Sequence, residues 1–220
     1  MREQLSQIQS DNRDAASIKR ENDRLRALLK LKEAHEDYEL VDGYIIGKSS
    51  VDWTSLLTIN IGTNLGVSEG MCAITANGEV VGLVIEAGSN YCVVKTVLDS
   101  SLEISATIAS SGYNGMVQGG YASGLDGYLR MNYLPSDATI RNNDQVVTTG
   151  STVYPRDLIL GYVVDAGFDD TGVAKFALLR PAAEINTLEQ VFIITKYTTE
   201  AGAVTAETTP TESAAAGTPA

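Results

Sequence analysis

From residue 1 to residue 38 the chain contains neither glycine nor proline, whereas everything beyond is punctuated by both. A run of that length predicts one rod of about 50 Å at 1.5 Å rise per residue. With heptad position a at Ile8, Ala15, Asn22 and Leu29, position d falls on Asp11, Ile18, Leu25 and Lys32, so the seam is apolar at five of eight places. Asn22 stands alone at an a position, where a buried amide selects one register and a two-stranded parallel pairing. Flanking charges complement each other across such a pair, Asp14 facing Lys19 and Glu21 facing Arg26. Two readings follow: a surface helix folded back on its own domain, or a dimerisation stalk built on Ile8, Ala15, Ile18, Asn22, Leu25 and Leu29. The stalk is favoured, because a rod this long has little to pack on in a small domain.

Charge separates the rod from the rest. Residues 1–36 hold eight Lys/Arg against seven Asp/Glu, and the remainder holds eight against twenty-one. A surface that acidic repels phosphate backbones and anionic headgroups, which argues against nucleic-acid binding. No apolar run reaches eighteen residues, so the sequence contains no membrane-spanning helix; its start within the rod suggests a missing N-terminal segment, where an anchor is expected. Cys72 and Cys92 both fall in strand-like stretches. They read as two buried thiols or, outside the cytoplasm, as a disulfide.

Beyond the rod the pattern shortens to period two. A first strand is expected from the weak alternation over 38–48, which ends in Tyr44-Ile45-Ile46-Gly47, and a second at 57–61 with Leu57, Ile59 and Ile61 on one face. Segments 71–75 and 79–86 flank Asn77-Gly78, the dipeptide that a type I′ hairpin turn prefers, and 91–98 follows another turn. A second series is expected at 103–108, 115–118, 127–132, 145–149, 160–166, 174–179 and 190–195, with turns between. This spacing suits barrels rather than βαβ units. The expected fold is mainly β: an N-terminal coiled-coil helix (1–36), then two small antiparallel β-barrel domains. The first is placed at 38–100, with 186–197 a candidate to return and complete it, and the second at 101–197. Residues 198–220 are Thr, Ala, Glu, Pro and Gly with little to bury, and read as a disordered tail.

The residues offer no reaction centre. The one histidine, His35, lies at the foot of the rod, away from any serine or cysteine of the β region, which removes Ser-His and Cys-His chemistry. Asp169-Asp170 sits in a hairpin turn ending at Gly172, and no glycine-rich stretch has the lysine and strand-to-helix context of a phosphate loop. No metal and no cofactor is implied.

Several stretches taken together resemble the rod shape-determining protein MreC family. They are the rod end from Glu21 to Leu29; Ile46-Gly47, Trp53 and the run from Leu57 to Met71; and Val80-Val81-Gly82-Leu83-Val84. A second block follows in Asp144-Gln145-Val146-Val147-Thr148-Thr149-Gly150, Tyr154-Pro155 and Leu160-Gly161, and a closing segment in Pro181-Ala182-Ala183 and Leu188-Glu189-Gln190-Val191. Order and spacing carry the resemblance, over about residues 18 to 195. Two departures stand out: Asp157 where the family often has glycine, and Glu79 where a small or apolar residue is common.

The resemblance implies a membrane protein with a single span, missing from this chain, and with the coiled coil and β domains on the extracytoplasmic side. It implies a non-enzymatic scaffold of the cell-wall elongation complex that pairs with itself and binds a class B penicillin-binding transpeptidase. It also implies ties to MreD, RodA and the MreB system. For the partner surface, Trp53 and the 148–155 connection, with Thr149 and Tyr154, are the candidates. The competing reading is an extracellular carbohydrate- or peptidoglycan-binding β module, which predicts direct affinity for wall sugars.

Overall fold

The computed structural model describes residues 2–51, 54–120, 127–169, 172–199 and 202–205, with side chains of the leading helix described from Ile18 onward. Helix α1 runs Arg2–Ala34 without interruption. Strands β1 (Glu39–Val51), β2 (Thr54–Ile59), β3 (Cys72–Ile74), β4 (Val80–Ala87) and β5 (Cys92–Thr96) follow, with a single 3-10 turn at Thr63–Leu65. A second set comprises β6 (Glu103–Ile108), β7 (Asn114–Gln118), β8 (Leu129–Leu134), β9 (Gln145–Thr148), β10 (Ile159–Phe168) and β11 (Lys175–Pro181). The chain closes with β12 (Gln190–Thr199) and β13 (Gly202–Thr205).

These strands make two six-stranded barrels. In the second the order is β10-β11-β8-β7-β6-β9, closed on itself. In the first, β1-β2-β5-β4-β3 is closed by β12, which pairs with β3 on one side (Ile193 opposite Ala73) and β1 on the other (Val41 opposite Ile193). The second barrel is thus inserted between the fifth and sixth strands of the first. Strand β13 adds to the far end of β12, Thr205 opposite Lys196, so part of the stretch expected to be tail is paired. Residues 206–220 lie outside the described residues.

Closing so few strands demands sharp coiling. Register shifts supply it at Ile45/Gly47, Val84/Glu86 and Val163/Asp165, each adding local twist. Glycine lets backbones cross: a Cβ on Gly82 would fall 2.0 Å from the Lys95 carbonyl oxygen. Alternation fills the interiors, with Leu57, Ile59, Ile74 and Ile193 in the first barrel and Leu129, Met131, Leu160 and Leu179 in the second. The two interiors join in one apolar cluster.

The seam is made partly of backbone. Ile159 of β10 bridges in parallel to Glu79, and its N–H donates to the Gly78 carbonyl at 3.0 Å. On another side, the Tyr197 hydroxyl of β12 donates to the Ser151 carbonyl in the loop between β9 and β10, at 2.7 Å.

Candidate functional site: the outer helix face and the seam

Helix α1 is amphipathic twice over. Ala27, Leu28 and Leu31 pack against the barrel core. At about 100° per residue they point roughly 140° away from Ile18, Asn22, Leu25 and Leu29. That outer set is unpartnered: Ile18 is 68%, Leu25 48% and Leu29 62% exposed, and Asn22 is exposed beside them. The helix therefore does fold back on its own domain over its last turns, and it keeps the heptad face free while doing so. Ile8 and Ala15 continue that face in sequence, on the part of α1 whose side chains lie outside the described residues.

The second candidate surface lies where α1 ends. His35 stacks flat on Tyr38 (ring centroids 4.4 Å apart, planes 9° apart), and Tyr38 meets Tyr197 edge-on at 6.5 Å. These rings and the β9–β10 loop enclose a groove of about 490 Å³, walled by His35, Tyr38, Tyr197, Thr149, Pro155 and Arg156. The loop is held shut at its base by buried Thr148, whose hydroxyl donates to the Pro155 carbonyl and accepts from the Leu158 N–H. At its tip the Ser151 hydroxyl oxygen accepts from the N–H groups of Val153 and Tyr154.

Of the three residues proposed from sequence for partner binding, the structure places two. Thr149 lines the groove, half-buried, with its N–H and hydroxyl both directed at the Ser105 carbonyl. Tyr154 does not present a surface. The ring is 6% exposed and packs in the core, because the loop turns it inward when Thr148 draws the two ends together. Burial pushes its phenol far above the ordinary tyrosine range. Trp53 lies outside the described residues. Sequence reasoning missed Tyr38 and Tyr197, which come together across more than 150 residues; the one local hint was Asp157, which adopts φ of +65°. That left-handed conformation explains why glycine suits the position.

The cysteines are free and buried on separate strands, with no disulfide between them. Burial raises both thiols, Cys92 to about 11, which keeps them protonated and unreactive at neutral pH. Among the described residues no three His, Cys, Asp or Glu side chains are grouped to hold a metal ion, and His35 is engaged with an aromatic ring.

A helix with an exposed aliphatic face, set on two fused six-stranded barrels, defines a double-barrel β protein. Residues 45–195 match the family model described as "Rod shape-determining protein MreC, barrel core". The chain belongs to the MreC family. It is 25% identical over 213 residues to the cell shape-determining protein MreC of Listeria monocytogenes, covering 96% of this chain and 70% of that protein. To the MreC of Bacillus subtilis it is 27% identical over 187 residues, covering 81% of this chain and 64% of that protein. The chain thus spans about two thirds of the length of such relatives. Among solved structures, MreC of Listeria monocytogenes superposes with a TM-score of 0.66 at 24% identity, covering 96% of this chain and 95% of that one. The fold is also that of MreC in a complex with a penicillin-binding protein, PBP2, from Helicobacter pylori (TM-score 0.54, 14% identity, covering 71% of this chain and 98% of that one). Among the described residues no helix is long and apolar enough to cross a membrane.

Proposed function

We propose that this chain is the extracytoplasmic part of a non-enzymatic scaffold for bacterial cell-wall elongation. It pairs with a second copy through Ile8, Ala15, Ile18, Asn22, Leu25 and Leu29. The observation that carries this reading is the outer face of α1, where Ile18, Leu25 and Leu29 stay exposed while the opposite face is used by the chain's own barrel. A second helix laid on that stripe removes three large aliphatic side chains from water, at about 25 cal/mol per Å² of apolar area. Pairing fixes two sets of barrels side by side and raises the effective concentration of whatever they bind.

The bound partner is a class B penicillin-binding transpeptidase ectodomain, with the groove at Thr149 and Trp53 as its contacts. The Helicobacter pylori complex supports that choice of partner. A membrane segment outside this chain, and links to MreD, RodA and the MreB system, complete the proposed assembly.

The test is mass in solution by multi-angle light scattering. The chain should run as a dimer, and Leu25→Asp with Leu29→Asp should make it a monomer with unchanged circular dichroism. A wild-type chain that stays monomeric at high protein concentration overturns the pairing. Separately, immobilised chain should retain a transpeptidase ectodomain and should not retain purified wall glycan.

A further inference from the structure

Two contact chains start at the last turns of α1 and both end on the second barrel. In the first, Leu31 presses on the turn between β3 and β4. Its Cδ1 lies 3.0 Å from where a Cβ on Gly78 would stand. Gly78 has φ of +78°, so only glycine fits that turn without strain, and its carbonyl accepts the inter-barrel hydrogen bond from Ile159. Ala27, Leu31 and His35 wall one side of the hollow there, and Gly78, Leu158 and Ile159 wall the other. In the second chain, His35 stacks on Tyr38, Tyr38 abuts Tyr197, and the Tyr197 hydroxyl donates to Ser151. The foot of α1 is braced on this side too, because the Asp37 carboxylate accepts the Thr198 N–H at 2.7 Å.

We infer that the foot of α1 is a clamp that fixes the angle between the two barrels. Leu31 and Tyr197 act as its positioning residues. The covalent links between the barrels, at 97–102 and 182–189, are irregular backbone. To them and to the shared apolar core the clamp adds a packed turn with its hydrogen bond to Ile159 on one side, and a set of rings with the Tyr197–Ser151 hydrogen bond on the other, so losing both loosens the angle. A force or partner that holds the helix then orients the second barrel as well. The groove at Thr149 keeps its shape only while the clamp is closed, since its walls come from His35 and Tyr38 just after α1, from β12 and from the β9–β10 loop.

The experiment is a distance measurement by double electron–electron resonance, with spin labels at Glu69→Cys on the first barrel and Ser110→Cys on the second. Both positions are exposed, and the native thiols are buried. Chain without the added cysteines serves as the labelling control. Diluted in an excess of unlabelled chain, so that paired copies add no distances of their own, the otherwise native chain should give one narrow distance. Leu31→Ala with Tyr197→Phe should broaden the distribution at least twofold while thermal unfolding stays cooperative, and Tyr197→Phe alone should broaden it less. An unchanged width in the double variant overturns the clamp. Should that variant not fold, Tyr197→Phe decides, since it deletes only a hydroxyl, and an unchanged width there overturns it equally. Repeating the measurement with Leu25→Asp and Leu29→Asp, outside the clamp, separates a failure of pairing from a failure of the clamp.

Discussion

The two barrels have the same number of strands and opposite dependence on the chain. The second is drawn from one uninterrupted stretch, and four of its pairings, β6–β7, β7–β8, β9–β10 and β10–β11, join neighbours in sequence. The first is open until β12 arrives from beyond the second, pairing Glu39 with Lys196 and Cys72 with Ile194. A closed barrel has no edges, so the strand that closes it removes two edges at once. The lesson is that equal architecture does not mean equal robustness: both barrels have local pairings, but only the first depends for closure on a strand from beyond the other barrel.

The severest way to break this comparison is to end the chain at Glu189. The amides of β1, β3 and β4 should lose protection in hydrogen exchange while those of β7, β8 and β11 keep most of theirs. Equal loss in both barrels contradicts the asymmetry. Next in size, Ile193→Ala on β12 and Leu160→Ala on β10, both fully buried, should each cost about 2–5 kcal/mol in urea unfolding. Two separable transitions, only one of which moves per variant, sharpen the contrast; a single shared transition shows that the joined core unfolds as one.

Alkaline pH probes the seam. Burial raises the phenols of Tyr38, Tyr154 and Tyr197, the last to about 12. An acid whose folded pKa exceeds its unfolded value of 10.0 keeps its proton longer in the folded state. Its contribution is intact below pH 10 and is lost as pH rises from 10 towards 12. Melting followed by circular dichroism should therefore drop by several degrees between pH 9 and about 11, with tyrosinate absorbance appearing only as the protein unfolds. A smaller effect is expected from Asp157→Gly, which relieves the left-handed backbone and should stabilise by about 0.5 kcal/mol in urea titration. The smallest concerns Glu79. Burial holds its carboxyl above the usual range, helped by Glu184 and opposed by the Thr75 hydroxyl. A carboxylate raised in this way costs stability as pH rises from 4.5 towards its folded pKa, and in full above that. Glu79→Gln should thus gain at most about 0.5 kcal/mol at neutral pH, with the gain vanishing below 4.5.

Legibility in the sequence followed the range of the interaction. Asn77-Gly78 announces its hairpin because the turn chemistry is local, and strands appear on either side of it. The long helix α1 was readable for the same reason, from a run without glycine or proline. The inward stripe of Ala27, Leu28 and Leu31 was not, since what makes it a packing face is a barrel that begins later in the chain. Strand β1 runs 13 residues over a stretch whose alternation from 38 to 48 was weak until 44–47, because its first half is held by β12 rather than by its own pattern. Tyr154 looked like surface in a Gly-Ser-Thr-Val-Tyr-Pro loop, and only the Thr148 hydroxyl bonds show why the ring turns inward. The groove needed three distant segments at once, so no local pattern announced it.

The insertion of one barrel into the other also sets a timetable for synthesis. A ribosome delivers β1 to β5 first and must then make about a hundred more residues before the closing strand emerges. During that interval the second barrel can finish while the first waits as an unfinished sheet with two sticky margins. A nascent chain of this kind gains from anything that shields those margins until residue 199 is out. The rate of its maturation is then set by the arrival of β12 and not by the collapse of either half.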